Sequence, residues 1–316
     1  MCVLLNIVFV NRLQFAVCLL FIFISACSKD PFGRCKDFED FPQGYTHVAE
    51  ADRRYFYTVP HYNPNNGNEI TCLQLDNANR MLSIIIYNLQ TTETKTVFSS
   101  DKIWAFPRWS VKDWLVFGQQ GDAYKIKTDG DSLTRLTNTG LCHYPFWSPD
   151  GTKIKCQIND GSSSEIIDEN GVLIKRLDNL PHKGGDWSAS NRLIVSGHSS
   201  QIVLIDDSTY SSRTIEVVRN KAYFSTAWLD ADNLLCVLGE SIYKINIHTE
   251  QKILIKEGCQ SKAYMSISVS PDKQKMIVQT QEYEVNKKNK TIENNKGIYV
   301  LNIDGSNEIE VLLPKN

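Results

Sequence analysis

Three of the six histidines sit where chemistry could be built. His61, His143 and His182 lie one, four and five residues before the aromatics Tyr62, Trp147 and Trp187. Imidazoles brought from separate elements to one axis could hold a divalent metal. The competing reading is three solvent-exposed or hydrogen-bonded side chains with no shared ligand. Around the same positions stand Trp104, Phe106, Tyr144, Phe146, Tyr223, Phe224 and Tyr264, with Arg108, Lys183, Asp186 and Lys221 among them. Aromatic walls carrying a few polar groups suit a sugar or a peptide. The candidate binding set is therefore His143, His182, Arg108, Tyr144, Asp186 and Lys221, and the candidate metal set is His61, His143 and His182. No residue is assigned a catalytic role.

Several reaction classes are excluded by what the chain lacks. There is no Gly-x-Ser-x-Gly elbow, no His-Glu-x-x-His pair and no phosphate-cradling glycine loop. No Cys-x-x-Cys pair supports a structural zinc. The formal net charge of −2 over 316 residues gives no electrostatic case for nucleic acid. The one basic run, Lys287, Lys288, Lys290 and Lys296 in an asparagine-rich stretch, reads as a solvated loop.

The elements that must position these residues repeat. Tyr62, Trp109, Trp147, Trp187, Trp228 and Val269 recur at spacings of 47, 38, 40, 41 and 41. The fullest copy is Trp147-Ser148-Pro149-Asp150-Gly151, a strand end and tight turn; Trp109-Ser110, Trp187-Ser188 and Val269-Ser270-Pro271-Asp272 are partial copies. The recurrence makes Ser148 and Asp150 turn and cap residues rather than a catalytic pair. Each repeat reads as four strands, as in Ile103 to Trp109, Asp113 to Gly118, Asp122 to Lys127 and Leu133 to Thr137. An insertion, Glu284 to Asn295, lengthens the last repeat. Four-stranded units of about 40 residues predict an all-β, six-bladed β-propeller of four-stranded blades over 54–316, with the marker aromatics wedged between blades. Two closures are open: face packing alone, or Tyr45 to Val48 added at a sheet edge.

The motif Trp147-Ser148-Pro149-Asp150-Gly151, with Asp129-Gly130 and Leu136-Thr137 before it, resembles the WD40-like (PD40-type) repeat of TolB-like propellers. The resemblance spans 54–316 and is strongest over 103–178. Asn65 departs from it at the Asp place of the first repeat, and Val111, Ala189 and Asp230 at the Pro place of three others. TolB proteins carry an α/β domain ahead of the propeller, which the segment between Cys27 and the first repeat is too short to hold. The resemblance implies a binding scaffold. Some pectin-degrading lyases of similar propeller type gather metal ligands at the channel, which implies the alternative of a metal-dependent polysaccharide lyase or hydrolase.

Residues 1–26 read as a signal peptide, with the apolar run Leu13 to Ala26 as its core. Ile24-Ser25-Ala26-Cys27 resembles the bacterial lipobox, which implies cleavage before Cys27 and lipid attachment there. Ser28 resembles the outer-membrane sorting pattern. Residues 27–53 then serve as a tether. In an oxidising compartment, Cys72, Cys156 and Cys236 read as buried core residues, and Cys142 and Cys259 as loop-side cysteines that could pair. The expectation is an envelope lipoprotein, periplasmic or surface-exposed, with a protein, peptide or glycan partner. No cofactor is expected beyond the metal of the alternative.

Overall fold

The computed structural model describes residues 41–49, 54–158, 163–178, 183–190, 193–198, 201–216 and 223–314. All their regular structure is β. A short strand, β1 (Thr46–Ala49), precedes the first blade: β2 (Tyr55–Asn63), β3 (Asn66–Asp76), β4 (Met81–Asn88) and β5 (Thr94–Ser100). The second blade is β6 (Ile103–Trp109), β7 (Trp114–Gln119), β8 (Asp122–Lys127) and β9 (Thr134–Arg135). The third is β10 (Cys142–Trp147), β11 (Lys153–Ile158), β12 (Ser163–Asp168) and β13 (Leu173–Asp178). The fourth is β14 (Lys183–Trp187), β15 (Leu193–His198), β16 (Gln201–Asp206) and β17 (Ser212–Glu216), and the fifth β18 (Tyr223–Trp228), β19 (Asn233–Leu238), β20 (Ser241–Asn246) and β21 (Lys252–Lys256). The last sheet holds β22 (Lys262–Val269), β23 (Lys275–Asn286), β24 (Thr291–Asn302) and β25 (Ile309–Glu310).

The expectation of six four-stranded blades is corrected here: five such blades are present. Five sheets are four-stranded and antiparallel, but the last has five strands. The insertion extends β23 and β24 into a long hairpin. Its outer edge is shared: β25 pairs at Tyr299 and Val300, while β1 pairs in parallel from Thr291 to Asn294. Part of the expected tether thus lies on the sheet, its backbone groups supplying partners that an exposed edge would lack.

The inner strands β2, β6, β10, β14, β18 and β22 pack in succession, and β22 meets β2. The marker aromatics explain why. Trp109 packs with Leu73, Ile84 and Val97 of the blade before it, Trp147 with Val116 and Ala123, Trp187 with Phe146 and Ile166, and Trp228 with Ile202 and Leu204. Each fills the wedge its own sheet leaves against its neighbour, because one twisted sheet cannot cover both of its apolar faces. Tyr62 does the same against Ile277 and Ile298 of the last sheet. Four further bonds cross that seam: Val59 N–H to Gln279 Oε1 (2.8 Å), Tyr62 N–H to Ser268 Oγ (3.2 Å), Tyr57 O–H to the Pro314 carbonyl (2.7 Å) and Tyr87 O–H to the Leu312 carbonyl (3.2 Å). Face packing closes the ring, and β1 adds a strand at the edge of the last sheet, as the second closure had it.

The marker turns are built as the sequence predicts. Ser148 Oγ donates to Asp150 Oδ1 at 2.6 Å and accepts Lys153 N–H at 2.9 Å; Ser270, Asp272 and Lys275 repeat the pattern at 2.6 and 2.9 Å. Burial opposes ionisation of Asp150, but bonds from Ser148 and Thr152 outweigh it and hold the carboxyl below its usual range. Gly151 has φ +67°, and a Cβ there would stand 2.6 Å from Ser110 Oγ of the preceding turn. That crowding is the reason for glycine at this position.

The cysteine expectations hold in burial and fail in pairing. Cys156 is a buried core residue, as expected, but it is also bonded to Cys142 across β10 and β11, and Cys259 is in a disulfide of its own. Cys142 and Cys259 therefore do not pair. Cys72 and Cys236 are buried and free, as expected. Lys155, between Ile154 and Cys156 on β11, is buried with them at 1% exposed.

Candidate functional site

A cavity of about 290 Å³ opens at the end of the channel where the inner strands finish. It draws on the same repeat positions in turn. The residue before each marker lines it: His61, Arg108, Phe146, Asp186, Ala227 and Ser268. The markers form its walls, and the residues two beyond them, including Pro64, Val111, Pro149, Ala189 and Pro271, form its rim. Lys273 joins from the turn between β22 and β23.

Local backbone irregularity aims these side chains. Every inner strand breaks register shortly before its marker: between Thr58 and His61, Ala105 and Arg108, His143 and Phe146, Lys183 and Asp186, Tyr223 and Ser225, and Tyr264 and Ser266. A bulge adds a residue to one strand and turns the following side chain. Its recurrence gives each blade one channel-facing position that packing leaves free to vary.

Charge in the cavity is uneven. Asp186 Oδ1 accepts the N–H of Trp187 at 2.8 Å and Oδ2 that of Trp228 at 2.9 Å, while the Trp228 indole N–H reaches the Asp186 carbonyl at 3.3 Å. Burial raises the Asp186 carboxyl above its usual range, and those two main-chain bonds, Lys273 and Arg108 only partly offset it. Burial, with the positive fields of Arg108 and Lys273, drives His61 down to about 3, so it is neutral at physiological pH. His61 and Asp186 are part-exposed because they touch the cavity, although protein surrounds them. Lys273 Nζ donates to the Trp228 carbonyl at 3.3 Å.

The structure brings together only part of the candidate binding and metal sets. His61, Arg108 and Asp186 share the cavity. His143 and Tyr144 do not reach it; they lie near the start of β10, roughly 10 Å back along the strand. There His143 meets the Trp104 ring edge-on at 3.8 Å between centroids, and Tyr144, at φ +47°, lies 5.8 Å from Trp104 and 6.2 Å from Phe106. Burial lowers the His143 imidazole below its usual range. His182, Lys221 and Cys27 lie outside the described residues. Among those described, no three His, Cys, Asp or Glu residues gather as metal ligands, and the field beside His61 is positive. Lys273 was missed because it follows its marker by four residues in one repeat only; comparing the turns for an unmatched charge would have found it.

No family model matches the chain, and neither does any curated protein. Solved structures do. A protein assigned as TolB from Agrobacterium tumefaciens aligns with TM-score 0.57 and 16% identity, over 73% of this chain and 88% of that one. The β-propeller domain of the Trilobed protease from Pyrococcus furiosus, described as an open velcro topology, aligns with TM-score 0.54 and 11% identity, over 84% and 99%. A chain of the mitotic checkpoint complex aligns with TM-score 0.52 and 14% identity, over 72% of each. The fold is that of the TolB-like repeat propellers.

Proposed function

We propose that this protein is a non-catalytic binding propeller of the bacterial cell envelope, which receives part of a partner protein at the channel cavity. The observation that carries this reading is the ring of positions before the six markers. The repeat fixes the fold around them, while the side chains there differ in every blade: His61, Arg108, Phe146, Asp186, Ala227 and Ser268. A recognition surface needs such variation on a fixed frame. Asp186 is committed to two main-chain N–H groups, and His61 is held neutral by burial beside Arg108 and Lys273, which suits recognition better than proton transfer. TolB-like neighbours of the same fold support the assignment.

The envelope location rests on the sequence. The lipobox-like Ile24-Ser25-Ala26-Cys27 supports an outer-membrane lipid anchor, and the apolar run before it a cleaved signal peptide. Among the described residues no helix is long and apolar enough to cross a membrane.

The test is photo-crosslinking in the native envelope from an unnatural aromatic at Val111 on the rim, with Lys95 on an outer strand as the control position. Discrete partner adducts from Val111 that Arg108→Ala diminishes are expected. Adducts at Lys95 with none at Val111 would overturn the reading. Fatty-acid labelling that survives Cys27→Ala would refute the anchor.

A further inference from the structure

We infer that the tip of the β23–β24 hairpin is a second membrane contact: Lys287, Lys288 and Lys290 rest on anionic lipid headgroups beside the acyl anchor, and the cavity opens away from the bilayer. The inference rests on the lipid anchor proposed above and adds the end of the ring that meets the membrane.

Strand direction puts the tip at the end remote from the cavity. β22 runs to its marker at the cavity end, and β23 starts from the turn there and runs back. Lys262, the first residue of β22, pairs with Glu282 of β23. The hairpin continues past that pair, from Tyr283 opposite Asn294 to Asn286 opposite Thr291. Those residues carry it roughly 13 Å beyond the start of β22, at about 3.3 Å each. A bare two-stranded projection would be marginal. This one has a third strand, because β1 pairs along Thr291 to Asn294.

The chain enters the fold at the same tip. β1 runs parallel to β24 and so begins beside the turn, where Thr46 N–H donates to the Lys290 carbonyl at 3.0 Å. Five residues earlier Phe41 is already buried. From an anchor at Cys27 to Phe41 is 14 residues, a reach of at most about 50 Å. A tether that short keeps the hairpin close to the bilayer, so a weak attraction there is enough to orient the ring.

The charge at the tip has one sign. All three lysines are exposed, and none of them forms an ion pair, whereas Lys262 holds both Glu282 and Glu308. The carboxylates of the hairpin, Glu284 and Glu293, stand opposite each other further back along the ladder. Glu293 Oε1 is taken by Asn286 Nδ2 at 2.8 Å and Thr291 Oγ1 at 3.3 Å. No large apolar side chain is exposed among the described residues of the tip. The contact is therefore electrostatic, as for a basic segment on anionic lipid, and weakens with salt.

The test places the acylated full chain in vesicles of phosphatidylethanolamine, alone or mixed with phosphatidylglycerol, with a photo-reactive aromatic at Asn289 or at Val111 on the cavity rim. Lipid adducts from Asn289 are expected to be roughly fivefold more abundant with phosphatidylglycerol and to fall as salt rises, with none from Val111. Changing Lys287, Lys288 and Lys290 together to Gln should abolish that gain and leave the melting temperature unchanged. The same change at Lys95, Lys127 and Lys252, exposed at the cavity end, should leave the adducts as they are. Equal yields in the two vesicles, equal yields from Asn289 and Val111, or indifference to the triple change at the tip would overturn the inference. Protein-sized adducts from Asn289 in the native envelope, in place of lipid, would also overturn it and make an acidic protein the occupant. Fatty-acid labelling separates the two readings. Acylated protein without Asn289 adducts keeps the anchor and loses the tip contact; unlabelled protein with phosphatidylglycerol-dependent adducts keeps the contact and loses the anchor.

Discussion

The carboxylate of Asp186 at the end of β14 accepts the main-chain N–H of Trp228 at the end of β18, 2.9 Å away. With its second oxygen on Trp187 N–H, it joins two neighbouring blades at the wall of the cavity. Asparagine would keep the shape but turn an amide N–H₂ toward one main-chain donor. Asp186→Asn is therefore expected to lower unfolding free energy by about 1–3 kcal/mol. Urea unfolding measures this, and an unchanged midpoint would show that the bridge contributes nothing.

His61 makes stability depend on acid. Its pKa is depressed from the ordinary 6.5 to about 3 in the folded protein, so between those values the unfolded chain binds more protons. Its contribution is complete above pH 6.5 and is lost as pH falls toward 3. Asp186, whose carboxyl is raised, has the opposite slope over the carboxylate range. Comparing wild type with His61→Gln removes that common term. Melting temperature between pH 7 and 4 should fall more steeply in wild type; parallel curves would show that His61 titrates normally.

Lys155 is a buried amine without a hydrogen-bond partner, its Nζ 5.4 Å from the centre of the Phe146 ring. Burial pulls its pKa from 10.5 to about 8. Below pH 8 both folded and unfolded chains are protonated, and the folded state carries the full penalty of a desolvated ammonium, about 3 kcal/mol. The penalty is relieved as pH rises from 8 to 10.5. Lys155→Met should stabilise the protein by about 1–3 kcal/mol at pH 7, with the gain shrinking by pH 10. Destabilisation at pH 7 would mean the ammonium has a partner.

Cys142 and Cys156 close a short loop across β10 and β11, with Cα atoms 5.3 Å apart. A loop of that length restrains the unfolded chain by about 3 kcal/mol. The double variant Cys142→Ser, Cys156→Ser should lose about 2–3 kcal/mol. Non-reducing peptide mapping should recover the 142–156 link; a 142–259 link would contradict it.

The repeat was legible because a blade is a local object: four strands in sequence, a marker and a turn, with bonds that rarely reach beyond their neighbours. His61, Arg108 and Asp186 were legible as candidates for the same reason, since each stands immediately before a marker. His143 was misleading. The bulge between it and Phe146 separates it from the channel end, and a bulge leaves no mark in composition. The burial of Lys155 beside that of Cys156 was not legible, because alternation distinguishes inside from outside only when one face of a sheet meets water. In a propeller both faces are covered by neighbouring blades, so period-two patterning loses that meaning. The addition of β1 at a sheet edge was one of the two closures left open, but its parallel register with β24 joins residues far apart in the chain, which no local pattern announces.

The seam between β2 and the last sheet has a consequence for how the chain could be rewired. Among the described residues no strand of the first blade joins the ladder of the last sheet; side chains bridge the two, and Tyr57 bonds the carbonyl of Pro314. A circular permutant that links 314 to 54 through a short flexible connector and begins anew at the exposed turn Asp129-Gly130 should fold to the same ring, cavity included.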